Sequence, residues 1–166
     1  MRGLLLPPGL GFYAVAVGVF AFVFTDIEGS TALLRRAGGD VYARVLAGHH
    51  GLIRSALAAH GGREVDTAGD GFFAVFSSPR ACLAAALDMQ HALGSHGWPG
   101  GEQVRVRMGV HAGEAQQTET GLVGLDVHRA ARIAAVAHDG QVLVSQTAAA
   151  LADDALPPGA VLRDLG

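Results

Sequence analysis

The chain has 166 residues and a mass of 17.0 kDa, which suits one domain with a single hydrophobic core. Half of its residues are hydrophobic and 16% are charged, which excludes a disordered chain. A formal net charge of -3 excludes the basic surface of a general nucleic-acid binder, so no direct nucleic-acid binding is expected. All 12 lysine-plus-arginine positions are arginine, so any chemistry here proceeds without an ammonium side chain. The single Cys82 excludes an internal disulfide and a cysteine-based zinc site.

The N-terminal segment carries no charge between Gly3 and Thr25, and it resembles in part a signal peptide and in part a membrane span. Two prolines and two glycines interrupt it: Pro7, Pro8, Gly9 and Gly11. The uninterrupted remainder is too short to cross about 30 Å of hydrocarbon as a helix. We therefore predict a leader at residues 1–18 and a cytoplasmic domain at residues 19–166. The apolar leader leaves membrane association open as the less favoured alternative.

Periodicity and turn residues predict alternating strands and helices after the leader. The predicted elements are a strand at Val19–Thr25, a helix from an N-cap at Ser30 or Thr31 to about His60, strands at Arg63–Thr67 and Phe72–Phe76, a helix from Pro79 to about Leu93, a strand at Val104–Val110, a helix at Val127–Ala137, a strand at Gln141–Ser145, a short helix near Thr147 and the start of a strand at Val161–Arg163. The tight turn Ala68–Gly71 predicts a hairpin, and the alternation after Val104 predicts a strand with one solvent-exposed face. This βαββαβ order predicts an α+β sandwich with helices on one side of the sheet.

A carboxylate, Asp26, stands where the first predicted strand ends and a helix begins. Backbone N–H groups at such a helix N-terminus favour phosphate oxygens, and the candidates are those of Ile27, Glu28, Gly29, Ser30 and Thr31. A carboxylate and a phosphate 4 Å apart repel each other by about 4 kcal/mol at an effective dielectric constant of 20, unless a cation lies between them. The motif therefore indicates Mg²⁺ or Mn²⁺.

A second carboxylate, Asp70, occupies the tip of the predicted hairpin, which can lie beside the end of the first strand. Two carboxylates together with substrate phosphates are the usual ligands of Mg²⁺. Each aspartate taken alone fits an ordinary structural role equally well, Asp70 in an Asp-Gly turn and Asp26 at a helix entry. The residues by themselves leave the two interpretations open.

Three segments together resemble the signature of class III nucleotidyl cyclase catalytic domains. They are Phe-Thr-Asp-Ile-Glu-Gly-Ser-Thr at 24–31, Thr-Ala-Gly-Asp-Gly at 67–71 and Gly-Leu-Asp-Val-His-Arg-Ala-Ala-Arg-Ile at 124–133. The separation of 44 positions between Asp26 and Asp70 matches the family, and the third segment is similar to cyclase-like domains at the head of bacterial transcription regulators. The resemblance covers the chain from about residue 20. It implies a ferredoxin-like core, two divalent metal ions (Mg²⁺ or Mn²⁺) and a head-to-tail homodimer with active sites at the interface. It also implies conversion of ATP or GTP to a 3',5'-cyclic monophosphate and pyrophosphate.

Carried over residue by residue, the resemblance implies that Asp26, Asp70 and the backbone of Ile27 bind the metal ions. It implies that Arg132, supplied by the partner chain, stabilises charge on the phosphoryl group in the transition state, a role that suits the planar, five-donor guanidinium.

Three of the six usual catalytic positions are replaced in this chain. Asp66 stands where adenylate-forming members have lysine, Gly121 where a base-reading aspartate or threonine is usual, and His128 where an asparagine orients the ribose. An acceptor at Asp66 leaves groups of adenine unpaired, at a cost of about 1–3 kcal/mol, but it suits the donors at guanine N1 and N2.

These replacements leave two hypotheses, a weak or base-relaxed cyclase and a catalytically inactive pseudo-cyclase that senses nucleotide or dimerises in signalling. A purely structural domain is the remote third. Outside the motif positions, we expect structural roles for His111 and Glu114, and a helix-capping or surface role for Asp126.

Overall fold

A computed structural model describes residues 17–119, 121–138, 140–152 and 156–165. The strands are β1 (Val17–Ile27), β2 (Arg63–Ala68), β3 (Gly71–Phe76), β4 (Val106–Thr118), β5 (Gly121–Val123) and β6 (Val142–Val144). The helices are α1 (Ser30–Ala37), α2 (Gly39–Ala59), α3 (Pro79–Ser95), α4 (Leu125–Val136) and α5 (Gln146–Ala152), with a 3₁₀ turn at Pro99–Gly101. The predicted leader lies outside the described residues up to position 16, whereas Val17 and Gly18 are part of β1. Among the described residues, no helix is both long and apolar enough to cross a membrane.

The sheet has the order β2-β3-β1-β4-β5 with antiparallel neighbours, and β6 pairs with β4 in parallel. The first four strands of this order follow the ferredoxin-like arrangement, which confirms the predicted fold class. The long β1–β4 ladder runs from Val17 opposite Gln116 to Ile27 opposite Val106. This ladder forms the centre of the sheet and carries the end of β1 to the candidate site.

Helices cover both faces of the sheet, so the prediction of helices on one side is wrong. Alternate residues of β1, such as Ala21 and Val23, pack in the main core with α2 and α3. Their neighbours face the other way, where Phe22 packs with Phe73 and with Ala130 of α4. Each large side chain that becomes fully buried contributes about 1.5–3 kcal/mol, so this second core is a substantial part of the fold.

Glycines in β4 allow α4 to lie directly on the strand. A Cβ atom at Gly109 would lie 2.2 Å from the backbone nitrogen of Ala134, and one at Gly113 would lie 2.2 Å from the Asp126 carboxylate. Neither contact is possible for a residue with a side chain. The apolar face of α4 is made largely of alanines, which give only a weak hydrophobic pattern. The sequence therefore did not show which side of the sheet α4 covers.

Four local expectations also change. The long first helix is two helices, because Gly38 between them has φ of 81°, a conformation that favours glycine. Gly29, not Ser30 or Thr31, is the N-cap of α1, and no side chain caps it. The strand expected at Val104–Val110 runs to Thr118 and is buried on both faces over much of its length, since α4 covers the side that was expected to face solvent. Val161–Arg163 is not a strand.

Candidate functional site

The structure brings Asp26 and Asp70 together at one end of the sheet. Asp26 is the penultimate residue of β1, and Asp70 lies in the turn between β2 and β3. Because Thr25 pairs with Phe72, this turn sits beside the end of β1. The Ile27 N–H group donates a hydrogen bond of 3.0 Å to Asp70 Oδ2, which fixes the hairpin tip against β1.

The carboxylates of Asp26 and Asp70 repel each other. Burial, and then the Asp26 carboxylate beside it, raise the pKa of Asp70, and the backbone N–H groups of Asp70 and Ile27 only partly oppose this. Asp26 has a counterion in Arg107, which donates to Asp26 Oδ2 at 2.7 Å, and the pKa of Asp70 is raised all the same. A divalent cation shared between the carboxylates would remove the repulsion, so the residues fit the metal that the sequence predicts.

The donor set favours a hard cation. The protein atoms available are carboxylate and backbone oxygens, which suit Mg²⁺ and Mn²⁺. Within the described part of the chain, no three histidine, cysteine or acidic side chains cluster as a closed metal site. A cation held by Asp26 and Asp70 would therefore keep coordination positions open for water and for substrate phosphates.

Arg107 is a site residue that the sequence reasoning missed. Its Nε and Nη2 atoms donate to Asp26 Oδ2 at 3.1 and 2.7 Å, and its Nη1 donates to the Ala135 carbonyl of α4 at 3.1 Å. The register that pairs Asp26 with Arg107 produces this contact. The sequence showed only an arginine in an alternating strand. Only the register of β1 against β4 would have identified Arg107 as the partner of Asp26, because the two residues are 81 positions apart in the sequence.

The predicted phosphate cradle is only partly available. The Ile27 N–H group is engaged by Asp70, and the Glu28 N–H group donates to the Arg105 carbonyl at 2.8 Å. These two groups do not face a ligand in this structure, which reduces the predicted cradle to residues 29–31 in the first turn of α1. The cause is that one amide binds the Asp70 side chain at the hairpin tip and the other binds the carbonyl of the residue before β4.

Helix α2 supports the site from the core side. His50 Nε2 lies 2.9 Å from the Gly69 carbonyl, next to Asp70 in the turn. The Tyr42 phenol interacts with the Ser30 side chain, and burial together with the charges of Asp70 and Asp26 raises the pKa of Tyr42. The residues that support the site therefore come from α1, from α2 and from the turn between β2 and β3.

His128 and Arg132 lie on the exposed face of α4. They line a cavity of about 610 Å³ with Leu125, Arg129, Ala131 and Ala135. Asp26 and Asp70 are not among its lining residues, so the chain does not bring the predicted catalytic pair of α4 into one cavity with its own predicted metal ligands. Leu125 is 76% exposed and Val136 is 70% exposed on the same helix, which leaves an apolar surface around the two polar side chains.

The predicted base-reading positions come close through β5. Asp66 is exposed and pairs with Phe73 after a bulge that follows Glu64. A Cβ atom at Gly121 would lie 3.5 Å from Val65 Cγ1, so the start of β5 approaches the residue that precedes Asp66. Phe24 and Phe73 stack with ring centroids 4.4 Å apart on this face of the sheet. The environment of Asp66 thus combines an exposed carboxylate with an aromatic layer.

Comparisons with known proteins agree with the fold and the motifs. The family model described as "Adenylate and Guanylate cyclase catalytic domain" matches residues 12–157. An uncharacterized protein of Mycobacterium tuberculosis is 32% identical over 151 residues, covering 90% of this chain and 50% of the relative, and an adenylate cyclase of Mycosarcoma maydis is 35% identical over 158 residues, covering 80% of this chain and 6% of the relative. The chain thus spans about half the length of the mycobacterial relative.

Solved structures show the same architecture. An adenylate/guanylate cyclase/hydrolase from Silicibacter pomeroyi superposes with a TM-score of 0.79 at 29% identity, covering 92% of this chain and 88% of that chain. The monomeric guanylyl cyclase domain of the RhoGC fusion protein from the aquatic fungus Blastocladiella emersonii gives a TM-score of 0.78 at 18% identity, covering 84% of this chain and 88% of that chain, a likeness of fold alone.

Proposed function

Because the chain belongs to the adenylate and guanylate cyclase catalytic domain family, we propose that it converts a nucleoside triphosphate to a 3',5'-cyclic monophosphate and pyrophosphate. The observation that carries the proposal is the Asp26–Asp70 pair, two carboxylates held together at a cost that a divalent cation relieves. In the reaction, the ribose 3'-oxygen bonds to the α-phosphorus. The bond from that phosphorus to the pyrophosphate oxygen breaks, and the hydroxyl proton is released.

The roles of the side chains follow from their chemistry. Asp26, Asp70 and the Ile27 backbone would hold two Mg²⁺ or Mn²⁺ ions, which would supply positive charge to the triphosphate and lower the pKa of the 3'-hydroxyl group. The uncapped first turn of α1 faces the phosphates with residues 29–31. Arg107 places a positive charge beside the phosphates, while its donors hold Asp26 Oδ2 and the Ala135 carbonyl.

We propose that the active unit is a homodimer. Arg132 and His128 line a separate, exposed cavity rather than the space between Asp26 and Asp70, so a second copy would have to supply them. In that arrangement Arg132 stabilises the charge that develops on the transferred phosphoryl group, and His128 donates one hydrogen bond to the ribose. The exposed apolar side chains of α4 favour burial in such an interface.

We propose guanine as the preferred base, because of the side chain at position 66. Asp66 accepts hydrogen bonds and cannot donate them, so it suits the guanine N1 and N2 groups better than adenine N1. Gly121 places no side chain against the base. We therefore expect GTP to be used at least as well as ATP.

The alternative function is a pseudo-cyclase that binds nucleotide without turnover. The replacement of the ribose-orienting asparagine by His128 and the absence of any lysine favour it. Turnover of GTP and ATP with Mn²⁺ separates the two functions. A cyclase forms cyclic product, whereas a pseudo-cyclase shows only a melting temperature that rises with nucleotide concentration. No product and no shift at millimolar nucleotide would leave a structural domain.

The variant Asp26→Asn tests the metal assignment. We expect it to lower turnover by about 100-fold, because it removes one of two anionic ligands. The matched control is Asp88→Asn, which removes a carboxylate that contacts His60 on the far surface of α3 and is expected to leave turnover within about twofold. Undiminished product formation by Asp26→Asn would refute the two-carboxylate site. Specific activity that falls on dilution would support sites shared between two chains.

A further inference from the structure

We infer that Asp126 and His111 form a clamp that fixes α4 on β4, and that Asp126 is thereby a positioning residue for His128 and Arg132. The inference rests on the proposed function, because those two side chains are the ones that α4 would present to the substrate. Sequence reasoning expected Asp126 to be a helix cap or a surface acid and His111 to be structural. The contacts of the two residues show a more specific arrangement.

Asp126 is the second residue of α4, a position where an acid usually interacts with the N–H groups of its own helix. Its carboxylate instead reaches the strand. Oδ2 accepts a hydrogen bond of 2.9 Å from the Glu114 N–H group, and Oδ1 accepts one of 3.2 Å from His111 Nε2. Arg129, one turn along α4, donates to Oδ1 at 2.6 Å. Two of the three contacts therefore tie the start of α4 to β4.

His111 is only 6% exposed, and both of its ring nitrogens have partners. The carboxylate of Asp126 can only accept, so Nε2 carries the hydrogen of this bond. Ser145 Oγ lies 2.8 Å from Nδ1 and also accepts from the Ala148 N–H group at 3.1 Å. The ring is therefore held between Asp126 of α4 and Ser145, the residue before α5.

Burial would raise the pKa of Asp126, but the hydrogen bonds from Glu114, His111 and Arg129 outweigh it and hold this pKa below its ordinary value. Asp126 is thus anionic at neutral pH, and its hydrogen bonds are charge-assisted. Removing the carboxylate would leave the Glu114 N–H group and the buried His111 ring without this acceptor.

The fit of the clamp is tight. A Cβ atom at Gly113 would lie 2.2 Å from Asp126 Oδ2, so only glycine allows the carboxylate to approach this strand. At the other end of α4, the Ala135 carbonyl accepts from Arg107 at 3.1 Å. Each helical residue rotates by about 100°, so His128 and Arg132 are turned by about 200° and 240° from Asp126. The clamp holds the inner face of α4, and the proposed catalytic side chains occupy the outer face.

The consequence is a separation between chemistry and metal binding. A shift of about 1 Å in a positioned group costs on the order of 100-fold in rate. Loss of the clamp would move His128 and Arg132, but Asp126 makes no described contact with β1 or the hairpin, which carry Asp26 and Asp70. The hydrogen bonds that link α4 to Asp26 run through Ala135 and Arg107, at the end of the helix away from the clamp. Turnover should therefore fall while metal affinity is retained.

The experiment compares Asp126→Ala, Asp126→Asn and the surface control Asp88→Ala in the full chain. For Asp126→Ala we expect kcat for Mn²⁺–GTP to fall by about 10- to 100-fold, with KM and the Kd for Mn²⁺ within about threefold of the unmodified protein. Hydrogen exchange should accelerate in the backbone of α4 and stay unchanged in α2 and α3. Asp126→Asn keeps one acceptor oxygen, so its kcat should lie between those of the alanine variant and the unmodified protein.

Two results would overturn the inference. One is an Asp126→Ala variant whose kcat changes by less than about threefold while α4 keeps its protection. The other is faster exchange in every helix together with weakened Mn²⁺ binding, which indicates a general folding role. If the unmodified protein forms no cyclic product, the proposed function fails, and exchange in α4 alone then decides whether the clamp exists.

Discussion

Replacing Arg107 with methionine tests whether an internal cation competes with the metal at Asp26. The Arg107 guanidinium places two nitrogens at 3.1 and 2.7 Å from Asp26 Oδ2, the carboxylate proposed as a metal ligand. The side chains are 31% and 37% exposed, so solvent screens the pair. Ion pairs with this exposure contribute about 0.5–1 kcal/mol. A metal ion that displaces the guanidinium must overcome that amount, and methionine keeps the aliphatic stem while removing the charge.

The magnitude converts directly into affinity. An energy of about 0.5–1 kcal/mol corresponds to a two- to fivefold change in Kd, so Arg107→Met should bind Mn²⁺ about two- to fivefold more tightly without nucleotide. Titration calorimetry measures this difference. The control Arg80→Met removes an equal charge from the exposed start of α3 and should leave the Kd unchanged. In the Asp26→Asn background, Arg107→Met should give no gain, because the interaction has lost its partner.

The reasoning is refuted if Arg107→Met binds Mn²⁺ no more tightly than the unmodified protein. The same holds if the gain persists with asparagine at position 26, because the effect would then be a general change of electrostatic potential. Arg107→Met also removes the hydrogen bond to the Ala135 carbonyl, so the stability of the variant has to be measured as well. Unfolding in urea should show that the variant is folded at the temperature of the titration.

Two further predictions concern stability. Burial, and then the neighbouring His50, lower the pKa of His49 to about 4, so between pH 6.5 and 4 the unfolded chain binds a proton that the folded protein does not. The free energy of unfolding should therefore fall by up to about 1.4 kcal/mol for each pH unit as the pH is lowered through this range. His49→Leu should remove this pH dependence, as measured by urea unfolding. An unchanged slope would contradict the assignment. Hydrogen bonds from Arg54 and Thr67 lower the pKa of Glu64 to about 2, so its contribution is present above the unfolded pKa near 4.5 and is lost as pH falls toward 2. Glu64→Gln should cost about 1 kcal/mol at pH 7, after allowance for solvent screening, and almost nothing at pH 2; an equal cost at both pH values would exclude the ion pair as its source.

The buried imidazole of His49 has a structural meaning as well. It is fully buried, and neither ring nitrogen has a hydrogen-bond partner among the described residues. Thr25 Oγ1, on the same side of the sheet, is also buried without a hydrogen-bond partner among the described residues. Unpaired buried polar atoms cost about 1–3 kcal/mol each, so the layer beneath the candidate site is less stable than an apolar one would be.

Several features were determined by the sequence alone. The apolar run that forms β1, the hairpin turn at Ala68–Gly71 and the order of strands and helices depend on local periodicity and turn chemistry, and each is found close to its predicted place. The proximity of Asp26 and Asp70 also followed, because the βαββ order pairs β1 with β3 and so places the hairpin tip beside the end of β1. The family motifs lie in these locally determined segments.

Other features were decided only by the tertiary structure. The ion pair of Asp26 with Arg107 depends on cross-strand register, and the clamp of Asp126 on His111 depends on which face of the sheet α4 covers. The alanine-rich α4 carries a weak hydrophobic signal, whereas its placement follows from two glycines that lie far from it in sequence, Gly109 and Gly113. Local patterns determine the elements, because periodicity is a property of neighbouring residues. Register and helix placement are properties of pairs of segments, so the partners of the site's charged groups become visible only when the chain is folded.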